Sequence, residues 1–172
     1  LSSLGMTLNE KETGMIAQAN QVNCQVLSPK GLVVEQVKTI RQLRDFGSVL
    51  SSIFIPFDEN IVKFYDMISP FLEKIPLHAF VGYINQCPVT IGSLVLEGDC
   101  AGIYDIATHP AHRKNGYGTY MTSYVIKQAK NMGYKNLALL ASSEGQPIYQ
   151  KLGFVPIGTF NVYGNGQLLG VA

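Results

Sequence analysis

The feature that most constrains the fold of this chain is residues 103–119, where an apolar run, a turn, a glycine loop and a helical pattern follow one another. Gly116 and Gly118 let the backbone curl so that successive N–H groups point into one concavity, and the helix that follows adds the positive end of its dipole. Arg113 and Lys114 place full positive charges beside it. The stretch therefore predicts an anion site, suited to a diphosphate, between a strand and a helix.

Two other phosphate loops do not fit this stretch. A Walker A loop needs Lys-Ser or Lys-Thr after its second glycine, and a dinucleotide fingerprint needs a third glycine; both are missing. Taken alone, the glycine pair also fits a plain structural turn, or a mononucleotide site in another kind of α/β protein. That last alternative predicts protection by ATP or FMN.

Hydrophobic periodicity on both sides of the loop gives the order of elements. We expect strands at 32–39, 79–85, 89–97, 101–108 and 137–141 and from 154 onward, and helices at 40–50, on both sides of Pro70, at 119–132 and at 146–152. The helices at 119–132 and 146–152 should end at Gly133 and Gly153. An antiparallel meander followed by a β-α-β unit predicts an α/β (α+β) mixed sheet with helices on both faces.

Residues 1–30 are the least informative segment. Leu4-Gly5-Met6 faintly echoes Leu152-Gly153-Phe154, so we hypothesise that residues 1–30 are the remnant of a preceding half-domain, and that 31–172 form the main domain. The hypothesis requires a strand within residues 13–19. The alternative is an ordinary N-terminal extension. Because numbering begins at Leu1 rather than Met, we also expect a processed product or part of a longer protein.

Composition narrows the class of protein. The chain has 172 residues, 47% hydrophobic and 15% charged, which is typical of a globular domain, and its net charge of +1 disfavours nucleic acid or anionic membrane as a partner. The three cysteines show no metal-ligand spacing, so we expect reduced thiols and no metal. We find no membrane-spanning run and no signal-peptide pattern, and expect a cytoplasmic protein.

Two motifs together resemble the GNAT (N-acetyltransferase) superfamily. The first is Arg113-x-x-Gly116-x-Gly118 after a strand that ends at Ala107-Thr108, and it resembles that family's coenzyme A pyrophosphate loop. The second is residues 141–154, where Tyr149 lies four residues before Gly153-Phe154. The motifs lie in the order and at the separation that the family requires. The resemblance implies the GNAT fold and an acetyl-CoA-dependent N-acetyltransferase.

The resemblance also implies roles for individual residues. The backbone beside the acetyl group and the pantetheine arm would be that of Ile106, Ala107 and Thr108. The pyrophosphate would be held by Arg113, Lys114, Asn115, Gly116, Tyr117, Gly118 and Thr119. The family often has an asparagine near Ser142 or Ser143 that contacts the pantetheine; Ser143 would take that place, although a helix cap fits it equally well. Tyr149 would protonate the departing thiolate, since a phenol with a pKa of about 10 is protonated at pH 7.

The general base is harder to assign. An alkyl amine is neutral in only about one molecule in two thousand at pH 7, so a proton must be removed before attack. Where the family commonly has Glu, this sequence has Gly102. Asp105 is the first candidate, ahead of Glu97 and of His78 acting through water. If the acceptor arrives neutral, positioning alone could suffice.

The acceptor stays open at this stage. Apolar residues at 53–57, together with Phe64, Tyr65 and Tyr163, would line an apolar acceptor pocket or belong to the core. The resemblance implies direct attack by a small-molecule or peptide amine, without a covalent enzyme intermediate. The main alternative is a GNAT-fold protein that binds acyl-CoA without catalysis, as a sensor or a structural half-domain. The resemblance also allows a homodimer.

Overall fold

The computed structural model describes residues 2–72 and 74–164, so residues 165–172 of the predicted main domain lie outside the described residues. Seven strands form one sheet, in the order β2-β3-β4-β5-β6-β1-β7. The strands are β1 (Thr7–Gln18), β2 (Val33–Gln36), β3 (Leu77–Ile84), β4 (Cys87–Glu97), β5 (Cys100–Thr108), β6 (Asn136–Ala141) and β7 (Val155–Gly164). The helices are α1 (Ile40–Ser51), α2 (Glu59–Ile68), α3 (Tyr117–Asn131) and α4 (Gln146–Leu152).

The pairing pattern confirms the predicted mixed sheet. Strands β2 to β5 form the antiparallel meander, β5 and β6 are parallel across α3, and β1 is antiparallel to both β6 and β7. Within residues 2–72 and 74–164, no helix is long and apolar enough to cross a membrane.

Helices pack on both faces of the sheet because neighbouring strand residues point in opposite directions. On β3, Phe80 is buried in a cluster with Met121 and Val125 of α3. The next residue, Val81, is buried in a second cluster with Phe46 of α1. α1 and α2 therefore cover one face of the meander, and α3 covers the other.

Local signals set most helix ends. α1 begins with a capping box, in which the Gln42 backbone N–H donates to Thr39 Oγ1 at 3.2 Å and the Thr39 N–H donates to Gln42 Oε1 at 3.1 Å. The prediction of a helix after Pro70 was wrong: among the described residues there, a 3-10 turn, Ser69–Phe71, follows α2, and the next regular element is β3. Pro70 and Pro76 bracket too few residues for an α-helix.

The N-terminal segment supplies an interior strand. Thr13 of β1 is the register partner of Ala141 in β6 and of Thr159 in β7. The strand that the half-domain hypothesis requires is therefore present, and it starts earlier than residue 13. The hypothesis itself stays a prediction.

The parallel pair β5–β6 opens like a V. Pairing runs only from Cys100 opposite Asn136 to Ile103 opposite Leu139, although both strands continue beyond. The register of β5 against β4 shifts in the same region, where Asp105 takes a left-handed conformation with φ 52. This β-bulge bends β5 away from β6. Beyond the fork, the backbone groups of β5 and β6 that face each other are not paired with one another, although β5 still pairs with β4 and β6 with β1.

Candidate functional site

A cavity of about 640 Å³ opens where β5 and β6 diverge. It is lined by Ile53, Ile106, Ala107, Thr108, Arg113, Lys114, Gly116, Tyr117, Gly118, Thr119, Thr122, Ser142, Glu144, Gly145, Ile148 and Tyr149. Every residue predicted to bind the cofactor is among them except Asn115 and Ser143, and the first base candidate, Asp105, is also outside the lining. The fork of the sheet thus brings together two segments that the sequence separates.

One end of the cavity is the start of α3. The first hydrogen bond inside this helix runs from the Tyr120 N–H to the Gly116 carbonyl at 3.0 Å, and Gly116 offers no side-chain cap. The N–H groups of Tyr117, Gly118 and Thr119 therefore have no acceptor within the helix. With the helix dipole, they form an anion site at which a phosphate group would fit.

The loop before α3 is shaped by its own contacts. Lys114 and Gly116 both take left-handed conformations, with φ 65 and 77. Asn115 Nδ2 donates to the carbonyls of His112 at 3.0 Å and Arg113 at 3.2 Å, so its amide holds the loop together rather than lining the cavity. The sequence motif predicted that Asn115 belongs to the loop, but it could not predict the direction of the Asn115 side chain.

Thr90 fixes the end of β5 and was not predicted as a site residue. Its buried hydroxyl donates to the Ala107 carbonyl at 2.8 Å and lies 3.2 Å from the hydroxyl of Thr108. A Cβ built on Gly118 would lie 3.2 Å from that same Thr108 oxygen, so α3 starts very close to β5. These contacts hold the strand beyond the bulge against the helix terminus.

Tyr149 stands on α4, on the opposite wall. Its ring packs over Gly145, where a built Cβ would lie 3.0 Å from Cε2, and against Phe154, with ring centroids 6.0 Å apart. Burial raises the pKa of the Tyr149 phenol, which therefore stays protonated at neutral pH. The side chain is a fixed, neutral proton donor.

Ser142, rather than the predicted Ser143, faces the cavity. Its Oγ accepts from the Gly145 N–H at 3.2 Å, and its carbonyl accepts from the Gln146 N–H at 3.0 Å, so it caps the turn before α4. Ser143 is exposed and outside the lining. Because two serines are adjacent here, the sequence alone does not show which of them faces the cavity.

Asp105 lies on the bulge, outside the cavity lining, and turns toward the α1–α2 face. The Ser93 hydroxyl donates to Asp105 Oδ2 at 2.9 Å, and the charge of Asp105 adds to burial in raising the pKa of buried Tyr65. Burial raises the pKa of the Asp105 carboxyl, and the Ser93 hydrogen bond partly opposes that shift. The carboxylate is consequently more basic than an exposed one.

The other two base candidates lie elsewhere on the sheet. Glu97 is opposite Cys100, at the start of β5, whereas the cavity opens at the end of that strand. His78 is opposite Leu94 in the middle of the meander. A Cβ at Gly102 would lie 2.6 Å from the ring of Tyr104, so a side chain there would displace that tyrosine.

The predicted aromatic cluster divides. Tyr65 belongs to the core beside Phe46, with ring centroids 5.2 Å apart. Phe54, Phe57 and Phe64 are each about half exposed, at 48%, 49% and 49%. The segment between α1 and α2 thus presents an apolar surface next to Ile53, which lines the cavity.

Comparison with known proteins agrees with this geometry. A model described as the acetyltransferase (GNAT) family matches residues 48–154. No curated protein matches the chain in sequence. Among solved structures, a GCN5-related N-acetyltransferase from Kribbella flavida is similar at 19% identity and TM-score 0.71, covering 95% of this chain and 61% of that one.

Two further structures show the same fold. A GCN5-related N-acetyltransferase from Sphaerobacter thermophilus has 12% identity and TM-score 0.72 over 94% of this chain and 53% of its own. A predicted acetyltransferase from Clostridium acetobutylicum, determined with acetyl-CoA, has 17% identity and TM-score 0.57 over 72% of this chain and 90% of its own. The chain thus spans about three fifths of the Kribbella protein. Because the family model matches more than half of the sequence and includes both the glycine loop and Tyr149, the chain belongs to the acetyltransferase (GNAT) family.

Proposed function

We propose that this protein is an N-acetyltransferase that transfers the acetyl group of acetyl-CoA to the amine of a small-molecule or peptide acceptor by direct attack. The observation that carries the proposal is a single cavity with unpaired helix N–H groups at one end and the protonated Tyr149 phenol on the opposite wall. A diphosphate and a leaving thiolate need these two groups respectively.

The residues present fit coenzyme A. The N–H groups of Tyr117, Gly118 and Thr119, with Arg113 and Lys114, would hold the pyrophosphate. Beyond the fork, backbone groups of β5 and β6 that face the opening have no strand partner on that side, and the amides of a pantetheine arm would satisfy them. Ser142 would contact this arm in the role first given to Ser143. When bound, acetyl-CoA supplies the thioester carbon that the amine attacks.

Tyr149 and Asp105 carry the proton transfers in this proposal. Burial keeps the Tyr149 phenol protonated, so that it can donate a proton at the position of the departing sulfur. Asp105 turns toward the face on which the acceptor would enter, and burial makes its carboxylate a better proton acceptor. Because Asp105 is outside the cavity lining, a water molecule would relay the proton from the amine.

The surface beside the cavity favours an acceptor with an apolar portion. Ile53 lines the cavity, and half-exposed Phe54 and Phe57 continue the same segment. Apolar contacts of this kind orient a ligand whose amine is presented to the fork. The described cysteines are all unpaired, which is compatible with the cytoplasmic location expected above.

The second candidate is an acyl-CoA-binding protein without transferase activity. Gly102, covered by Tyr104, favours it, since the family's usual base is replaced. The test has two stages. Calorimetric titration with coenzyme A, acetyl-CoA, ATP and FMN identifies the ligand, and acetyl transfer is then assayed on a panel of alkyl and aromatic amines.

Tyr149→Phe is the matched variant, since it keeps the ring packing on Gly145 and Phe154 and removes only the hydroxyl. We expect unchanged coenzyme A affinity and a kcat lower by roughly 100- to 10,000-fold. Binding of the two CoA ligands without transfer to any amine would favour the second candidate. Binding of ATP or FMN alone would overturn both.

A further inference from the structure

Strands β1 and β7, which lie side by side at one edge of the sheet, begin in the same way. The 3-10 turn Ser2–Leu4 leads through Gly5, with φ 74, into β1. α4 leads through Gly153, with φ 103, into β7. The backbone thus repeats the likeness between Leu4-Gly5-Met6 and Leu152-Gly153-Phe154: a helical turn ends at Leu-Gly, and a long strand follows.

The register of these two strands places equivalent residues opposite each other. Glu12 follows Gly5 by the same number of residues as Phe160 follows Gly153. Glu12 and Phe160 are register partners in the sheet. Glu12 and Phe160 are therefore equivalent in the repeat and also paired with each other, in the interior of both strands.

The flanking pairs obey the same relation. Lys11 is opposite Asn161, and Thr13 is opposite Thr159. In the numbering of the repeat, Asn161 is the equivalent of Thr13, and Thr159 is the equivalent of Lys11. Exchanging the two strands exchanges the two pairs, so a local two-fold axis passes between Glu12 and Phe160, perpendicular to the sheet.

This axis requires a neighbour that the described residues do not supply. β1 lies between β6 and β7, and the two-fold exchanges β1 with β7. β7 should then have, on its far side, a strand equivalent to β6. In residues 2–72 and 74–164 no strand pairs there, and every residue from 155 to 162 is exposed.

The far edge of β7 also has the character of an interface. Val155, Ile157, Phe160 and Val162 are 55%, 61%, 50% and 39% exposed. Proteins usually cover a long, apolar edge strand, because its unpaired backbone N–H and C=O groups can pair with a strand of another segment or chain.

The three solved structures compared above differ in how much of this chain they match, and the difference is consistent with a second unit. Those from Kribbella and Sphaerobacter match over nine tenths of this chain, and the chain fills only 61% and 53% of them. The Clostridium structure, of which 90% is covered, matches only 72% of this chain. Matches that extend over almost the whole chain, including its terminal strands, occur in proteins with room for another unit.

We propose that the far edge of β7 pairs with a strand of a second GNAT half, carried upstream of β1 on the same polypeptide. In that half, residues 2–18 are the equivalent of the end of α4 together with β7. The two halves share one continuous sheet, related by the two-fold between Glu12 and Phe160. The inference depends on the family and the register, and not on the proposed chemistry, so it stands or fails separately from acetyl transfer.

Residue-resolved hydrogen exchange on the full natural polypeptide tests the pairing. In an edge strand alternate amides point to solvent, whereas in an interior strand all are bonded. Apart from Pro156, which has no amide, we expect consecutive amides of β7 to exchange at least about 100-fold more slowly than unprotected ones. β2, at the opposite edge of the sheet, is the internal control and should show fast exchange at every second amide.

Results of three kinds would overturn the proposal. The first is an alternating pattern in β7 like that of β2, or a natural polypeptide with no GNAT-like half before β1. The second is protection of β7 that disappears on dilution, which would identify a second copy as the partner. The third is protection that is lost in a variant ending at Gly164, which would assign the pairing to residues 165–172.

Discussion

Replacing Gly116 with alanine tests most directly whether the loop before α3 holds an anion. Gly116 has φ 77, and a Cβ built on it meets no atom within 4 Å. The new methyl group would therefore cause no clash, and only the backbone conformation would be strained. A left-handed conformation costs an L-residue roughly 1–2 kcal/mol.

That strain can appear as lost stability or as lost affinity. If residue 116 keeps its conformation, the free energy of unfolding falls by about 1–2 kcal/mol and Tm falls by about 2–8 °C. If the loop relaxes, the free energy of unfolding stays close to that of the parent. The loop conformation that binds the anion then becomes about 5- to 30-fold less populated, and the Kd for coenzyme A rises by that factor. Residues 113–116 are all exposed, so the loop is free to relax, and we expect the second outcome.

Gly98→Ala is the matched control. Gly98 also has a left-handed φ, 54, with no atom within 4 Å, but it lies in the turn between β4 and β5, at the other end of the sheet. Calorimetric titration with coenzyme A and thermal unfolding should show lost affinity for Gly116→Ala and only lost stability for Gly98→Ala. Gly116→Asn should recover most of the affinity, since Asn tolerates this conformation. A Kd for Gly116→Ala within about twofold of the parent, with no loss of stability either, would refute the anion-loop assignment.

Three smaller changes test other parts of the structure. Because burial raises the pKa of Asp105, its carboxyl stabilises the fold below the unfolded pKa and this contribution is lost as pH rises through the folded pKa; Asp105→Asn should thus raise Tm at pH 8 more than at pH 4, and a lower Tm at pH 8 would contradict this. Ser93→Ala removes the hydrogen bond that lowers the pKa of Asp105, so the acid limb of kcat/KM should move to higher pH; an unmoved limb would argue against Asp105 as base. Thr39→Ala removes the cap of α1 and should lower Tm by about 2–4 °C, for a loss of about 1 kcal/mol, without changing the Kd for coenzyme A; a change below about 1 °C would show that the cap contributes little.

The anion loop could be predicted because its chemistry is local in sequence, whereas the place of Tyr149 beside it was implied only by the resemblance to the GNAT family. Gly116 and Gly118 must precede a helix to form the anion loop, and Tyr149 is placed by the short helix that Gly153 ends. The start of α3 was predicted at Thr119 and lies at Tyr117, because Gly116 already occupies the cap position. Such contacts connect residues that are a few positions apart, so they can be predicted from the order of residue types in the sequence.

Contacts between distant segments left no comparable signal. Ile53 reaches the cavity from the segment after α1, and Thr90 bonds to the end of β5 from the neighbouring strand. The bulge at Asp105 depends on the register of β4 against β5, which composition does not record. The position of β1 in the sheet is the largest feature that the sequence did not predict. Its first residues are polar, and its partners β6 and β7 are distant in the sequence.

The position of β1 also sets the order in which the sheet can be completed. Thr13 leaves the ribosome long before Ala141 and Thr159, the two residues between which it finally lies. The meander β2–β5 contains only neighbouring pairings and can form early, whereas β1 must wait for the rest of the chain. During synthesis, β6 would therefore emerge with a vacant side that only the first strand fills. The cavity at the β5–β6 fork is consequently among the last features that the growing chain completes.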